Sequence, residues 1–201
     1  MEKLGGWIFV DWSEANQLVQ DVSYPSNMMY AYCLEAMAEL YQDSDLGTKA
    51  DRIREVIREQ AMTDSGFFCD NAVRNADGVV ELSGKCTEAC QYYAFFTGTA
   101  APETYPELFR ILVEEFGFDR QEKGLYPEIY PANAFIANYI RLEILCRCGK
   151  FDALYGNIKG YFTYMAERTG TLWEMVSDTA SMNHGFASHV IYWMEKLGLV
   201  E

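Results

Sequence analysis

Hydrophobic residues along most of the chain recur every three or four positions, which is the spacing of one face of an α-helix. The pattern is clear where Met29, Cys33, Met37 and Leu40 fall on one face. Other segments share this periodicity and are bounded by glycines, prolines and polar turns. The sequence predicts helices over residues 29–40, 48–60, 87–97, 102–116, 134–148, 151–166 and 184–197.

Short turns separate the helices within each pair, and long irregular segments separate the pairs. Residues 43–47 form one short predicted turn, whereas the long segment that follows the second helix holds a tight-turn signal at Asn75–Gly78 and a candidate strand at Val79–Leu82. Two helices joined by a short turn form an antiparallel αα-hairpin. The predicted fold class is therefore all-α. It has three antiparallel αα-hairpins and a final helix in an arc, at most one short β-hairpin, and no central sheet.

Acidic and aromatic residues stand side by side in two of the long segments. Asp11 precedes Trp12 at the end of an extended apolar stretch, and Trp173 precedes Glu174 in a loop, with His184 ten positions after Glu174. An aromatic face can stack on a pyranose ring, a carboxylate can move a proton or activate a water, and an imidazole can bind a hydroxyl group. These residues therefore predict a sugar-cleaving site.

The same residues also have a purely structural interpretation. Trp173 would then be part of the core, Glu174 a capping or solvated residue, Asp11 a cap, and His184 the first residue of a helix. What favours a site is the placement of both acid–Trp pairs in long loops, since long loops shape the functional surface of most folds.

Length and charge narrow the class of protein. The chain has 201 residues, of which half are hydrophobic, so we expect one folded domain over residues 1–201. A net charge of −14 argues against nucleic acid and anionic membranes as partners. No segment approaches the roughly 20 apolar residues of a membrane span, and the first residues contain no apolar run of signal length. A cytoplasmic location is expected for the chain as given.

Six cysteines raise the question of metal binding or disulfides. They are Cys33, Cys69, Cys86, Cys90, Cys146 and Cys148. No two of these cysteines have the spacing of a zinc knuckle, and the chain has only two histidines. We therefore expect reduced, mostly buried thiols, with no metal site and no cofactor.

Three segments together resemble the catalytic domain of bacterial α-L-rhamnosidases. They are Phe9–Trp12, Gly170–Glu174 and Ser181–Gly185, followed by Trp193, in the order and rough spacing of that family. The family consists of inverting glycoside hydrolases built on an (α/α) six-hairpin toroid. The resemblance covers nearly all of this chain and implies a partial toroid, because three hairpins and a final helix make just over half of the ring.

The resemblance implies roles for individual residues. Glu174 matches the general base, the carboxylate that activates the attacking water, while Asp11, Trp12 and His184 match residues that line the rhamnose subsite. Trp173 matches the motif as a packing or wall residue. An inverting glycosidase needs two carboxylates roughly 6.5–9.5 Å apart. The family's general acid lies upstream of the Asp-Trp motif, and this chain does not supply it.

The resemblance therefore implies the C-terminal part of such a catalytic domain, inactive or weakly active alone, with a rhamnoside-type carbohydrate as ligand. An expressed fragment, a degenerate gene and a half completed by a partner all fit this interpretation. Three other functions stay open: a non-catalytic carbohydrate-binding or regulatory remnant, another six-hairpin enzyme such as an unsaturated-uronide hydrolase or a glucosidase, and a helical interaction module. Helix faces left open by missing hairpins predict a homo-oligomer.

Overall fold

The computed structural model describes residues 1–3 and 7–200, and about half of the chain is helical. The α-helices are α1 (Glu14–Gln17), α2 (Tyr24–Tyr41), α3 (Ser44–Ala61), α4 (Glu88–Phe96), α5 (Pro106–Glu114), α6 (Ile136–Arg147), α7 (Phe151–Thr169) and α8 (Val190–Lys196). A 3₁₀ helix, Gly185–His189, leads directly into α8. The strands are β1 (Val22–Ser23), β2 (Asn71–Arg74), β3 (Val80–Leu82), β4 (Cys86–Thr87) and β5 (Ile129–Tyr130).

Helices α2, α4, α6 and α8 lie side by side, and each packs against the next along this row. Helix α3 packs on α2, and α7 packs on α6, so the second helix of each of these pairs stands outside the row. The central helices α4 and α6 are buried over most of their residues, as expected for helices that are covered on several sides. This side-by-side packing of helices agrees with the prediction. The described residues do not close into a ring.

The first hairpin has a shorter turn than the sequence predicts. Helix α2 is followed by Gln42, which adopts the left-handed conformation. The side chain of Asp43 then accepts a hydrogen bond from the N–H of Asp45. Because this cap starts α3 at Ser44, the prediction of a turn over residues 43–47 is wrong. Gly47 is helical, and a Cβ there would lie 3.7 Å from the Cβ of Ala38 on the facing helix.

The second predicted hairpin also differs in detail. Helix α5 begins at Pro106 rather than at residue 102, because the N–H groups of Thr104 and Tyr105 turn back to the carbonyl of Ala101. A residue that precedes proline avoids the helical region, which helps to hold Tyr105 outside the helix. Helix α4 contacts α5 through the rings of Phe95 and Phe109, 5.4 Å apart, but its main partners are α6 and α2.

Two small sheets correct the all-α prediction. The tight turn and the strand after it are confirmed, because the N–H of Asn75 binds the carbonyl of Val79 and β3 pairs with β2. However, β1 adds a third antiparallel strand, and β4 pairs with β5 in parallel. These extra pairs join long loops whose partly buried backbone groups need hydrogen-bond partners. The only β-hairpin among the described residues is β2–β3, as predicted, but the expectation of no other β-structure in a nearly all-α chain is wrong.

The end of the chain follows the prediction with two changes. Helix α7 continues to Thr169 and ends at Gly170, whose φ of 71° is the left-handed conformation that glycine adopts easily. The predicted helix from residue 184 starts instead with the 3₁₀ turn, and α8 takes over only at Val190.

A buried ion pair fixes the long loop between α5 and α6. Glu88 on α4 and Arg120 are both almost fully buried, and Arg120 donates to the Glu88 carboxylate. The same guanidinium donates to the carbonyls of Leu125, Tyr126 and Ile129. Arg120 therefore ties the loop between α5 and α6 to α4.

The outer helices of the row carry exposed apolar side chains. Leu40 and Tyr41 on α2 are 75% and 67% exposed, and Ile191 on α8 is 59% exposed. Such faces are the ones through which a homo-oligomer was predicted, and association stays a prediction. Of the helices in the described ranges, none combines the length and the apolar character that crossing a membrane would require.

Candidate functional site

Trp12, Glu174 and His184 come together although they are far apart in the sequence. The indole N–H of Trp12 donates to Oε1 of Glu174 at 3.1 Å. Nδ1 of His184 lies 3.8 Å from Oε2 of the same carboxylate, which makes an ion pair when the imidazole is protonated. These three residues, which we call the Trp-Glu-His cluster, join the N-terminal segment to the loop after α7.

The Trp-Glu-His cluster is open to solvent. The side chains of Glu174 and His184 are 20% and 30% exposed, and Trp12 is 36% exposed. The backbone holds the loop in place, because the N–H of Glu174 donates to the carbonyl of Ser181 and that of His184 donates to the carbonyl of Leu172, both at 2.9 Å. The carboxylate is therefore fixed but still reachable by water or a ligand.

Asp11 lies beneath this surface. It is fully buried, and its carboxylate accepts hydrogen bonds from the backbone N–H groups of Asn133 and Ala137. Burial raises the pKa of Asp11 to about 6, although its backbone hydrogen bonds act in the opposite direction. The side chain was predicted to bind a sugar hydroxyl. In the structure it faces the protein instead, and anchors Trp12 to the start of α6.

Trp173 is fully buried as well. Its indole N–H donates to Oγ1 of Thr169 at 2.7 Å, and its ring packs edge-on against Tyr164. This position suits packing, one of the two roles that the resemblance implied, and leaves no face of the ring for a ligand. Its neighbour Glu174 points the other way, towards Trp12, so adjacent residues in the loop serve the core and the surface.

Asn133 was not singled out from the sequence, yet it connects three segments of the site. Its Nδ2 donates to the carbonyl of Trp12 at 2.7 Å, and its Oδ1 accepts from the N–H of Val176 at 2.9 Å. Its own backbone N–H donates to Asp11. Asn133 belongs to no sequence motif, so no signal in the sequence pointed to it. Its role in joining the segments of the site comes from contacts with residues more than forty positions away in the sequence.

Aromatic rings form the base of the cluster. The Phe9 ring lies 4.8 Å from that of Trp12 and 5.8 Å from that of Phe135, both edge-on. Phe135 in turn contacts the imidazole of His184 at 5.7 Å. Edge-on packing of this kind fixes ring orientation. Trp12 and His184 are therefore connected through two phenylalanines that contact each other.

The two larger of the cavities found among the described residues lie outside the cluster. One of about 540 Å³ is lined by α3 and the three-stranded sheet, including Ile53, Val56 and Leu82. The other, of about 360 Å³, is lined mainly by apolar residues that include Phe9 and Met29. Neither is lined by a member of the Trp-Glu-His cluster. Trp12, Glu174 and His184 are thus brought together on an open surface rather than in one of these cavities, whereas Asp11, expected in the same site, is buried below them.

Comparison with known proteins gives two related folds. No family model and no curated protein matches the chain. The family GH78 rhamnosidase of Bacillus sp. GL1 is similar, with a TM-score of 0.78 and 18% identity over 97% of this chain and 21% of that one. The rhamnosidase from Klebsiella oxytoca, solved with rhamnose bound, has a TM-score of 0.69 and 16% identity over 98% of this chain and 38% of that one.

The chain thus spans between a fifth and two fifths of the length of the two solved enzymes that it matches. At this low identity the comparison concerns the fold alone. The predicted resemblance is confirmed at that level: over nearly its whole length, the chain has the fold of a part of a GH78 rhamnosidase.

Proposed function

We propose that the chain carries the base side of a sugar-cleaving site in an α-L-rhamnosidase-type inverting glycoside hydrolase. The observation that carries this proposal is the contact of Trp12 and His184 with the two oxygens of the Glu174 carboxylate. An aromatic ring, a carboxylate and an imidazole on one open surface are the groups that bind a pyranose and activate a water beside it.

Glu174 has the properties that a general base needs. A base must hold its charge and reach the water whose proton it removes. The indole N–H of Trp12 holds one carboxylate oxygen in place, and the partial exposure of the side chain leaves room for a water molecule. Asp11 could not act in this way, because its carboxylate is enclosed and already occupied by backbone donors.

Trp12 and His184 would hold the sugar. The indole uses its N–H at the ring edge, so its exposed part remains for stacking on the apolar side of a pyranose. The partly exposed imidazole of His184 would hydrogen-bond a hydroxyl group. In this arrangement the sugar lies above Trp12, and Glu174 directs a water towards the anomeric carbon from one side.

Cleavage with inversion needs a second carboxylate roughly 6.5–9.5 Å from the first, to protonate the leaving oxygen. We expect this acid to come from outside the 201 residues, as the family resemblance implies. The sequence as given, assayed alone, should therefore bind rhamnose weakly and show no detectable hydrolysis of an aryl rhamnoside.

Titration of L-rhamnose, followed by NMR chemical shifts, tests this proposal. Trp12→Ala should abolish binding, Glu174→Gln should keep most of it, and Tyr155→Ala, which removes an exposed ring on α7, should change nothing. Binding that survives Trp12→Ala would refute the site, and robust turnover that survives Glu174→Gln would refute the mechanism.

One observation favours a second candidate, a carbohydrate-binding surface without chemistry. Both oxygens of Glu174 already have donors within the chain, from the Trp12 indole and, at 3.4 Å, from the N–H of Ser181. A carboxylate used only for structure would show such contacts. Glu174→Gln in a longer, active form separates the two functions, because it should abolish turnover only if the carboxylate is the base.

A further inference from the structure

Trp7 is the most exposed aromatic residue in the described part of the chain, at 73%. Tryptophan has a large apolar surface, and leaving most of it in water forgoes a considerable hydrophobic stabilisation. Exposed tryptophans therefore often mark a surface that another molecule covers. Exposure alone does not identify such a surface, so a second observation is needed.

The position of the Trp7 ring supplies the second observation. It lies 5.5 Å from the ring of Phe9, and Phe9 lies 4.8 Å from the ring of Trp12. Two indoles thus contact one phenyl ring. Because Phe9 also packs on Phe135, the ring that holds Trp7 belongs to the base of the Trp-Glu-His cluster. The exposed indole is continuous with that cluster.

We propose that Trp7 is a second stacking platform and that the site takes a glycan of at least two rings. This inference rests on the proposed function, in which the first sugar stacks on Trp12. The ring next along the glycan would lie on Trp7, further from Glu174. The indole selects for an apolar ring face and not for charge.

The charge of the chain restricts the glycan further. A net charge of −14 repels polyanions, so a chain of uronic acids or sulfated sugars is disfavoured. The ligand class is therefore a neutral oligosaccharide with a rhamnose unit, rather than a free monosaccharide or an acidic polysaccharide.

Calorimetric titration with two probes tests the inference: methyl α-L-rhamnoside and a neutral disaccharide that ends in rhamnose. We take the stacking contact to be worth as much as an aromatic pair, about 0.5–1.5 kcal/mol, so the disaccharide should bind roughly 2- to 12-fold more tightly. Trp7→Ala should remove this advantage and leave the affinity for the monosaccharide unchanged. Trp7→Phe should keep part of the advantage, and Tyr155→Ala should keep all of it.

Three outcomes would overturn the second platform. The disaccharide could bind no more tightly than the monosaccharide, or Trp7→Ala could leave its advantage intact, or that change could weaken both ligands equally. In all three the proposed function stands as long as Trp12→Ala still abolishes binding of the monosaccharide. Failure of the wild-type chain to bind either sugar would reject both. Thermal unfolding of each variant checks that it is folded.

Discussion

Two groups of carboxylates in this chain show how differently one chemical group is used. Asp11, Asp70 and Glu88 are buried, whereas Glu174 is partly open to solvent. The buried ones mostly bind backbone N–H groups and an arginine. Asp70, for example, accepts from the N–H of Thr87 at 2.7 Å, and burial raises its pKa to about 8. Glu174 is held chiefly by an indole N–H at the edge of an open surface.

The difference in exposure distinguishes carboxylates that hold the structure together from one that could take part in a reaction. A buried carboxylate whose oxygens are filled by backbone donors fixes the path of a loop but cannot meet a ligand. A carboxylate that keeps access to water can act as a base. The four side chains have the same chemistry in the sequence, and only their surroundings distinguish them.

The largest effect is expected at the buried ion pair. Glu88→Gln leaves the Arg120 guanidinium without its counter-charge in the interior, which should cost about 3–5 kcal/mol of unfolding free energy. Urea unfolding measures this loss. Glu107→Gln breaks an exposed pair with Arg110 and should leave the midpoint unchanged. Equal effects of the two substitutions would remove the distinction between buried and exposed carboxylates.

Stability should fall as the pH rises from about 4 to 8. The folded pKa of Asp11, about 6, lies above its ordinary value of 3.8, so the native state holds the proton in between. That stabilising proton is lost as the pH passes 6, at a cost of roughly 3 kcal/mol. Asp11→Asn should roughly halve the fall of the urea midpoint between pH 4 and 6, because Asp70, with a folded pKa of about 8, still contributes its slope from pH 4 to 8. A stability that rises over this range would contradict the burial of these groups.

A smaller loss of stability is expected at Asn133, which joins buried Asp11 to the exposed Trp12. Asn133→Ala removes the hydrogen bonds to the Trp12 carbonyl and the Val176 N–H, and should cost about 1–2 kcal/mol. Because Trp12 then loses one of the contacts that position it, rhamnose affinity should fall too. Asn16→Ala, which removes a bond to the N–H of Val10 on the same segment, is the matched control. If the control lowers affinity as much as Asn133→Ala, the positioning role of Asn133 is excluded.

The smallest effect on stability is expected at Glu174. Glutamine can still accept the indole N–H of Trp12, so Glu174→Gln should unfold close to the wild-type temperature in calorimetry. A large drop would place Glu174 with the supporting carboxylates, and the proposed base would be lost.

The helices and the three residues of the Trp-Glu-His cluster could be picked out from the sequence because both depend on local signals. Hydrophobic spacing located the seven longer helices, and the Asn75–Gly78 turn located the β2–β3 hairpin. The Trp-acid pairs drew attention to Trp12 and Glu174. The short strands β1, β4 and β5 could not be found, because two-residue pairings are decided by which loops meet.

Burial was the other property that local signals could not supply. Asp11 and Glu174 both stand beside a tryptophan, yet one lies below the surface and the other at it. Asn133 helps to decide this, because it binds Asp11, the Trp12 carbonyl and the N–H of Val176, and it belongs to no motif. The helix caps show the same limit on a smaller scale, since Asp43 moved the start of α3 by four residues.

A crystal structure with L-rhamnose bound tests the central claim most directly. The account predicts a pyranose ring stacked on Trp12, a hydroxyl bound by His184, and a carboxylate oxygen of Glu174 one water away from the anomeric carbon, with Asp11 still enclosed. A sugar bound elsewhere, or one whose anomeric carbon faces away from Glu174, would contradict it.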